Sequence, residues 1–592
     1  MPRIAGCVVS AVLMALVAAF PAGAQVQAPP KTAVATGTRG AAASVDPIAT
    51  DAAIRVLRAG GNAVDAAVAA AGVLGVVEPY SSGIGGGGFM VVYDARRHRV
   101  DTIDSRERAP RAMPANAFID KSTGRPFPFT DQRVSGLSVG VPGTVAGWDL
   151  ALRRYGTRGL RRLLRPAIRV AERGFVVDDT FAGQTRDNKA IFEDFSSTRA
   201  VYLKADGTAP AAGEVHRNPD MAATLRTIAR GGPRAFYRGA IARDITRAVR
   251  NPPVGPDAGR NVRPGLMLES DLRNYTAKRR RPTRVDYRGY EIFGMGPPSS
   301  GGSTVGEALN ILEGFDLGGD RSEAMHRYLE ASRYAYADRN VFLADPAYFK
   351  VPLRGLLSDD YAAQRRSLIG PTAGRGGVPR GDPYPFSRGP ESRTRPGGTE
   401  EGRSTTHLTV SDRFGNVVAY TFTIEQTGGS GIVVPGRGFL LNNELTDFNV
   451  DSTTHPNAAG PGKRPRSSIA PTIVFRGGRP VMALGSPGGA TIITTVLQTI
   501  VNHLDFKMPL PEAIAEPRGS QRNPASGATE AERGFVLKYG PGLTPRGHRF
   551  SNPTGGEIGA ATAIRMRLDG SAQAAAEPTR RGGGSAMVVR PG

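Results

Sequence analysis

The boundary between residues 404 and 405 constrains the fold of this chain more than any other sequence feature. Residues 370–404 are rich in Gly, Pro, Arg, Ser and Glu and lack periodicity, which predicts a mobile linker. Directly after it, residues 405–410 begin a β-rich run, and a turn at 411–416 leads into a second run at 417–423. We therefore predict a β-hairpin whose first residue, a threonine, directly follows a mobile segment.

The first 24 residues predict an export signal that is removed from the mature chain. Arg3 supplies a short positive region, residues 4–20 are largely apolar, and Ala22-Gly23-Ala24 gives the small-x-small cleavage pattern. An uncleaved anchor helix is the alternative, but no second apolar run of spanning length follows. We expect a periplasmic or secreted protein without a stable membrane anchor. Because the only cysteine, Cys7, lies in this signal, the mature chain would contain no disulfide and no thiol nucleophile.

The net charge of +23 raises the question of nucleic-acid binding. The arginines are spread along the sequence, and the densest basic run, residues 278–281, has no interleaved aromatic residues. We therefore expect a solvated basic surface that adheres weakly to anionic surfaces, and no nucleic-acid partner.

Two motifs match catalytic patterns literally. Residues 83–88 satisfy G-x-G-x-x-G, but this loop follows a predicted helix and precedes a predicted strand, the reverse of a dinucleotide site. We interpret it as a glycine-rich turn that other backbone approaches closely. Residues 136–140 satisfy G-x-S-x-G around Ser138, and a serine hydrolase stays an alternative although none of the seven histidines is singled out as its partner. The histidines also lack metal-ligand spacing, so we predict no metal and no cofactor.

Thr405 is the candidate nucleophile. Cutting the bond between Ser404 and Thr405 would free an α-amino group, which titrates near ~7.7–8.0 and suits a general base. The same hydroxyl would make the cut by attacking the preceding carbonyl. Gly488 and Gly489, at a predicted strand-to-helix turn, offer backbone N–H groups for an oxyanion hole, with a simple tight turn as the alternative.

Motifs along nearly the whole mature chain, in order, resemble the γ-glutamyltranspeptidase family of N-terminal nucleophile hydrolases. They are Ser105-Arg106-Glu107-Arg108-Ala109-Pro110, Val141-Pro142-Gly143-Thr144-Val145-Ala146-Gly147-Trp148, Pro297-Pro298-Ser299-Ser300-Gly301-Gly302, Thr405-Thr406-His407 with Thr423, Leu441-Asn442-Asn443-Glu444 with Asp447-Phe448, Lys463-Arg464-Pro465-x-Ser467-Ser468, and Gly485-Ser486-Pro487-Gly488-Gly489.

The resemblance implies an α+β fold, a four-layer αββα sandwich built from two autoprocessed subunits. The large subunit would span residues 25–404 and the small subunit residues 405–592. Thr405 would be the nucleophile and new N-terminus, and Thr423 would hydrogen-bond to it. Gly488 and Gly489 would form the oxyanion hole.

The resemblance also implies a zwitterion site for a γ-glutamyl group. Arg106 would bind the substrate α-carboxylate, a task that suits a planar guanidinium, with help from Ser467 and Ser468. The α-ammonium would be bound by three carboxylates: Asp447, Glu444 and Glu425. The implied partners are glutathione or related donors, with amino acids, peptides or water as acceptors.

Two departures from the family pattern bear on the substrate. Family members often carry Asn at the position of Glu425, and many have a longer lid loop than the twenty positions that separate Asp447 from Ser467. An open site would admit bulkier donors such as poly-γ-glutamate or β-lactam side chains. A glutaryl- or cephalosporin-type acylase using the same nucleophile is therefore the main alternative, followed by a Ser138 hydrolase and a basic binding protein without enzymatic activity.

Overall fold

The computed structural model describes residues 30–387, 404–552 and 556–592 of the 592-residue chain. The predicted export signal and residues 388–403 of the predicted linker lie outside the described residues.

The α-helices lie mostly on the two outer faces of the molecule. They are α1 (Pro47–Arg58), α2 (Ala63–Val77), α3 (Phe129–Arg133), α4 (Thr144–Tyr155), α5 (Leu160–Leu163), α6 (Arg165–Arg173), α7 (Asp179–Phe192), α8 (Ser196–Tyr202), α9 (Pro219–Tyr237), α10 (Ala240–Arg250), α11 (Glu269–Arg273), α12 (Gly301–Glu313), α13 (Arg321–Phe342), α14 (Leu353–Leu356), α15 (Asp359–Arg366), α16 (Thr491–Leu504), α17 (Leu510–Ala515) and α18 (Arg533–Leu543).

The strands form one large sheet and two small ones. They are β1 (Val34–Ser44), β2 (Gly87–Asp94), β3 (Arg99–Asp104), β4 (Phe175–Val176), β5 (Val215–His216), β6 (Lys278–Arg280), β7 (Thr283–Tyr287), β8 (Tyr290–Gly294), β9 (Thr406–Asp412), β10 (Val417–Thr423), β11 (Thr472–Arg476), β12 (Arg479–Gly485), β13 (Gly519–Ser520), β14 (Thr529–Ala531), β15 (Phe550–Ser551), β16 (Thr562–Met566), β17 (Ser571–Ala576) and β18 (Ser585–Pro591).

The large sheet folds back on itself to give two stacked layers. Its hydrogen-bonded order is β6-β3-β2-β10-β9-β1-β17-β16-β12-β11-β8-β7, and β18 pairs with β1 beside this path. Although β10 and β12 are far apart in that order, they are in contact, as are β9 and β16. Helix α2 covers the outer face of β9 and β10, while α12 and α16 cover β7, β8 and β12. This arrangement confirms the expected αββα sandwich.

Side chains of the inner strands alternate between two hydrophobic cores. On β2, Met90 and Val92 join the core under α1 and α2, whereas Phe89, Val91 and Tyr93 join the core between the sheet layers and α12, α13 and α16. Residues 89–93 of β2 are therefore all apolar, because the two-residue period of a strand sends neighbours into opposite cores.

The segments on either side of position 404 interleave in the sheet. Strands β9 and β10, which follow it, lie between β2 and β1, which precede it. Each of these pairings is antiparallel and runs over several residues. Backbone hydrogen bonds would therefore hold the two segments together whether or not the chain is cut between them.

The first two helices form where their capping residues predict them. Asp46 accepts hydrogen bonds from the amides of Ile48 and Ala49, and Pro47 opens α1. Asn62 and Asp65 form a reciprocal capping box at the start of α2. All fifteen residues of α2 are buried, because α1, α4, α5 and α6 surround it.

Two elements differ from the sequence prediction. The sequence predicts a helix over Met325–Leu343. Helix α13 begins four residues earlier, at Arg321, because Asp320 caps it by accepting from the amides of Ser322 and Glu323. Residues 370–387 of the predicted mobile segment are packed against the fold. Val378 exchanges backbone hydrogen bonds with the side chain of Asn523, and Tyr384 is buried. Composition alone missed this, because the contacts come from residues far away in sequence.

In the described part of the chain, every helix is too short or too polar to span a bilayer.

The carboxylate of Asp65 is the main polar anchor of the buried helix α2. Besides the amide of Asn62, it accepts hydrogen bonds from the amides of Thr157 and Arg158 and from the Thr157 hydroxyl. We expect Asp65→Ala to lower the free energy of unfolding by about 3 kcal/mol, because buried donors lose a charged acceptor. Urea unfolding followed by fluorescence of the single, buried Trp148 measures this.

The matched control for that experiment is Asp51→Ala on the outer face of α1, where the carboxylate pairs with exposed Arg55. The control should change the free energy of unfolding by no more than about 0.5 kcal/mol. Equal midpoints for the two variants would contradict the anchoring role of Asp65.

Candidate active site

Thr405 immediately precedes β9, at the open end of the hairpin. Its Oγ1 donates a hydrogen bond to Oγ1 of Thr423 at 3.1 Å, and Thr423 Oγ1 also accepts from the amide of Glu425 at 2.8 Å. The φ angle of Thr405 is 122°, a region that β-branched residues rarely adopt. The hydroxyl of Thr405 is thus held by a second threonine on a residue with a strained backbone.

The carbonyl group of Thr405 is bound by an arginine from near the C-terminus. Nη1 of Arg581 donates to this oxygen at 2.8 Å, while Nη2 donates to Oγ of Ser81 at 2.6 Å and to Glu78 at 3.0 Å. Burial raises the pKa of the Glu78 carboxyl, and the charge of Arg581 opposes that rise. On the N-terminal side of the bond between Ser404 and Thr405, Ser404 is buried and its hydroxyl donates to the carbonyl of Tyr80 at 3.2 Å.

Nine of the predicted site residues line one small cavity. They are Arg106, Thr405, Thr423, Glu425, Glu444, Asp447, Ser467, Ser468 and Gly489. The cavity volume is about 20 Å³, room for about one water molecule. Of the remaining two, Gly488 is adjacent to Gly489 and Ser404 is adjacent to Thr405. The fold thus brings these residues together, and their individual roles stay predictions.

Arg106 forms the cationic centre of the cavity. It is buried, and its guanidinium makes ion pairs with Glu444 and Asp447. It also donates to the carbonyl oxygens of Pro465 at 3.2 Å and Arg466 at 2.7 Å. Because a buried charge needs close partners, these contacts fix the plane of the guanidinium.

The neighbouring residue Glu107 is also buried. Burial, reinforced by the negative charge of Glu444, raises the pKa of Glu107 well above its usual value. This shift favours the protonated form of Glu107. Glu444 and Asp447 are the carboxylates that form ion pairs with Arg106.

Glu425 is held at the cavity by the Asn443 of the Leu441–Glu444 motif. The side-chain nitrogen of Asn443 donates to the Glu425 carboxylate. Its side-chain oxygen accepts from the backbone amide of Gln426 at 3.0 Å. Asn442 connects two other segments, because its side chain donates to the carbonyl oxygens of Gly85 and Gly140. The motif thus fixes the carboxylate of Glu425 and the backbone around it.

Ser467 and Ser468 are held by the Pro297–Gly302 motif and by α13. Both the amide and the hydroxyl of Ser300 donate to the carbonyl of Ser467 at 2.7 Å. Arg339 of α13 donates to Oγ of Ser468 at 2.6 Å and to Oγ of Ser300 at 2.9 Å. A second guanidinium therefore lies directly behind the serine pair.

Gly488 and Gly489 lie at the turn from β12 to α16, as predicted. Their φ angles are 132° and 57°, and a Cβ on Gly488 would lie 2.6 Å from Thr491 Oγ1, so glycine is required there. Neither amide donates a hydrogen bond to another residue in the described ranges. Two free N–H groups at the start of a helix are suited to stabilising an oxyanion.

The two literal motif matches are structural. A Cβ on Gly86 would lie 1.9 Å from the carbonyl oxygen of Thr423, which confirms a glycine-rich turn under close backbone contact. The hydroxyl of Ser138 is buried and donates to the carbonyl oxygens of Arg133 and Ser135. It has no histidine partner among the described residues, so the geometry of a Ser138 hydrolase is not formed.

His407, two residues after Thr405, is not available as a base. It is buried, with its ring nitrogens bonded to Thr421 and Thr409, and burial lowers its pKa to about 3. The imidazole is therefore a neutral structural group.

The short connection between Asp447 and Ser467 is packed into the fold. Asn457 is buried, and its side chain donates to the carbonyl of Asp447 at 2.7 Å and accepts from the amide of Arg466 at 2.8 Å. This one side chain therefore ties the two ends of the connection together beside the cavity.

Two site arginines, Arg339 and Arg581, were missed by the sequence analysis. Helix α13 is polar in sequence yet almost entirely buried, and that mismatch is the only signal that could have marked Arg339. Arg581 precedes three glycines near the C-terminus, and nothing in that pattern places it beside Thr405, 176 positions away.

Comparison with known proteins places this geometry in a family. The Gamma-glutamyltranspeptidase family model matches residues 49–587. The glutathione hydrolase proenzyme of Bacillus subtilis (strain 168) is 41% identical, and the alignment covers 86% of each chain. The glutathione hydrolase proenzyme of Escherichia coli (strain K12) is 38% identical, over 81% of this chain and 80% of that one.

A solved structure supports the same placement for the fold. The cephalosporin acylase from Bacillus halodurans superimposes with a TM-score of 0.80 at 28% identity, covering 97% of this chain and 99% of that one. A family match over most of the sequence, relatives well above 30% identity and a shared fold agree. The chain belongs to the γ-glutamyltranspeptidase family.

Proposed function

We propose that this protein is an exported, autoprocessing γ-glutamyltransferase and glutathione hydrolase that uses Thr405 as its nucleophile. The observation that carries the proposal is the hydrogen bond between Thr405 and Thr423 in a cavity lined by Arg106 and three carboxylates. Family membership supports the reaction class, and the relatives named glutathione hydrolase proenzyme support both the donor and the cut.

The first reaction would be cleavage of the chain itself. Oγ1 of Thr405 would attack the carbonyl carbon of Ser404, and the C–N bond would break as an ester forms. Water would then hydrolyse the ester, leaving a carboxylate on Ser404 and a free α-amino group on Thr405. The strained backbone at Thr405 and the hydrogen bond from Arg581 to its carbonyl favour this step, because they hold the residue in one conformation.

Cleavage would also open the substrate site. A cavity of about 20 Å³ is far too small for a γ-glutamyl group, and Ser404 is buried beside it. Departure of the segment that ends at Ser404 would vacate this volume. The large subunit, residues 25–404, and the small subunit, residues 405–592, would stay paired through β1, β9, β10 and β2.

The second reaction would be acyl transfer to and from Thr405. The new α-amino group would take the proton of the Thr405 hydroxyl, and Oγ1 would attack the γ-carbonyl carbon of the donor. The amides of Gly488 and Gly489 would stabilise the oxyanion; one such donor is worth about 2.7–4 kcal/mol in other enzymes. The donor amine would leave, and water or a second amine would release the γ-glutamyl group.

The substrate would be recognised as a zwitterion. Its α-carboxylate would bind Arg106, Ser467 and Ser468, with the charge of Arg339 behind the serines. Its α-ammonium would bind Glu425, Glu444 and Asp447. Because Arg106 already pairs with two of these carboxylates, the substrate would replace an internal ion pair with contacts of matching charge.

An acylase that acts on glutaryl or cephalosporin side chains is the second candidate. The structural match to a cephalosporin acylase over nearly the whole chain favours it. A glutaryl substrate keeps the acyl chain but lacks the α-ammonium group. The two functions therefore differ in how much they depend on the carboxylates of the cavity.

We expect Thr405→Ala to leave one uncut chain without activity, because both reactions need the hydroxyl. Intact mass spectrometry should detect the single chain, whereas the unchanged protein should give two fragments, the smaller beginning Thr405-Thr406-His407. Thr409→Ala, which removes a hydroxyl from the same strand, is the control and should be cut. Normal cleavage and turnover in Thr405→Ala would rule out the mechanism.

We expect kcat/KM for γ-glutamyl-p-nitroanilide to exceed that for the glutaryl analogue by about 100-fold, because the analogue leaves the cavity carboxylates unpaired. Release of p-nitroaniline measures both rates. Glu425→Gln should reduce the ratio of the two kcat/KM values, since it removes one negative charge from the cavity. A preference for the glutaryl compound would identify the acylase instead.

We expect Arg581→Met to slow cleavage of the chain by about 10- to 100-fold, the effect of losing one charge-assisted hydrogen bond. A time course of intact mass after synthesis gives the half-life of the uncut chain. Arg590→Met, at an exposed position of β18, is the matched control and should be cut at the normal rate. The same half-life in both variants would show that the contact between Arg581 and the Thr405 carbonyl does not accelerate cleavage.

A further inference from the structure

A basic groove lies on the outer helical layer that covers α2. It has a volume of about 580 Å³ and is lined by eight arginines from α1, α9 and the segment that contains α5 and α6. The segment supplies the densest part, with Arg161, Arg162, Arg165 and Arg169 all exposed. Because three separate stretches of chain build this groove, its charge is not visible as a run in the sequence.

The positive charge of this basic groove is largely uncompensated. One carboxylate, Glu172, lines it and pairs with Arg226. Arg55 pairs with Asp51 of its own helix. In the described ranges, the four arginines of the α5–α6 segment make no ion pair. Like charges held this close together raise the free energy of the groove until an anion binds there.

The floor of the basic groove is aliphatic. Val56, Pro166 and Ile168 are only partly buried and lie between the guanidinium groups, and no aromatic side chain lines the groove. Single-stranded nucleic acids need aromatic side chains for stacking, so the lining does not suit them. An aliphatic floor with a rim of arginines matches an amphiphilic anion, whose phosphate meets the rim and whose chain covers the floor.

We propose that the basic groove is a docking surface for anionic phospholipid at a membrane. Guanidinium groups bind phosphate oxygens with two parallel hydrogen bonds, and a cluster of four to eight basic residues is typical of sites for anionic lipid. The contact is peripheral and reversible. It is separate from the cavity at Thr405, since none of its lining residues lines that cavity.

The test compares two variants that each remove four exposed arginines. The groove variant carries Arg161→Gln, Arg162→Gln, Arg165→Gln and Arg169→Gln. The control variant carries Arg281→Gln, Arg479→Gln, Arg565→Gln and Arg567→Gln, which are all exposed and do not line the basic groove. Both lower the net charge equally, so they separate the groove from the charge of the whole protein. Trp148 fluorescence in urea verifies that both fold.

Co-sedimentation with phosphatidylcholine vesicles containing about one third phosphatidylglycerol measures the binding. Near ~0.1 M salt we expect the groove variant to bind about 100-fold more weakly than the unchanged protein, and the control variant within about threefold of it. Equal loss in both variants would assign the binding to net charge and overturn the proposal. So would equal binding to pure phosphatidylcholine, or a groove that binds duplex DNA more tightly than the vesicles.

Discussion

The pairing of β9 with β10, inserted between β1 and β2, is the constraint on which the rest of the site depends. It places Thr405 at the end of one strand and Thr423 at the end of the next, so that their hydroxyls meet. Because β1 and β2 both precede position 404, the segment before that position pairs with both edges of the hairpin. The position of Thr405 therefore does not depend on the peptide bond that precedes it.

The second constraint is the burial of charge around that hairpin. Arg106 is almost inaccessible to solvent, and such a cation is tolerated only with ion pairs and carbonyl acceptors around it. Burial raises the pKa of the neighbouring Glu107 well above its usual value, which favours the neutral form of that carboxyl. A site built in this way is preorganised, because its charges are fixed by neighbours from four different segments before any substrate arrives.

Local sequence signals predicted much of this structure, and tertiary contacts account for the rest. Capping residues located α1 and α2, and turn residues located the hairpin of β9 and β10 and the turn at Gly488. The family motifs gathered nine site residues into one cavity. The packing of residues 370–387, the contacts of Arg339 and Arg581, and the basic groove were not predictable, whereas the early start of α13 was missed although its cap at Asp320 is local. Each of these, apart from the cap at Asp320, depends on residues that are distant in sequence.

Three of the eight non-glycine residues with positive φ angles in the described ranges lie where the chemistry is proposed to occur. Thr405, Glu425 and Arg581 all have positive φ angles although none is glycine, and each makes a hydrogen bond to another segment of the site. A conformation of this kind costs about 1–3 kcal/mol per residue and persists only where surrounding contacts impose it. Two of these residues line the cavity, and the third donates a hydrogen bond to the carbonyl of Thr405. Strain at these residues therefore lowers the stability of the fold while it holds Thr405, Glu425 and Arg581 in one arrangement.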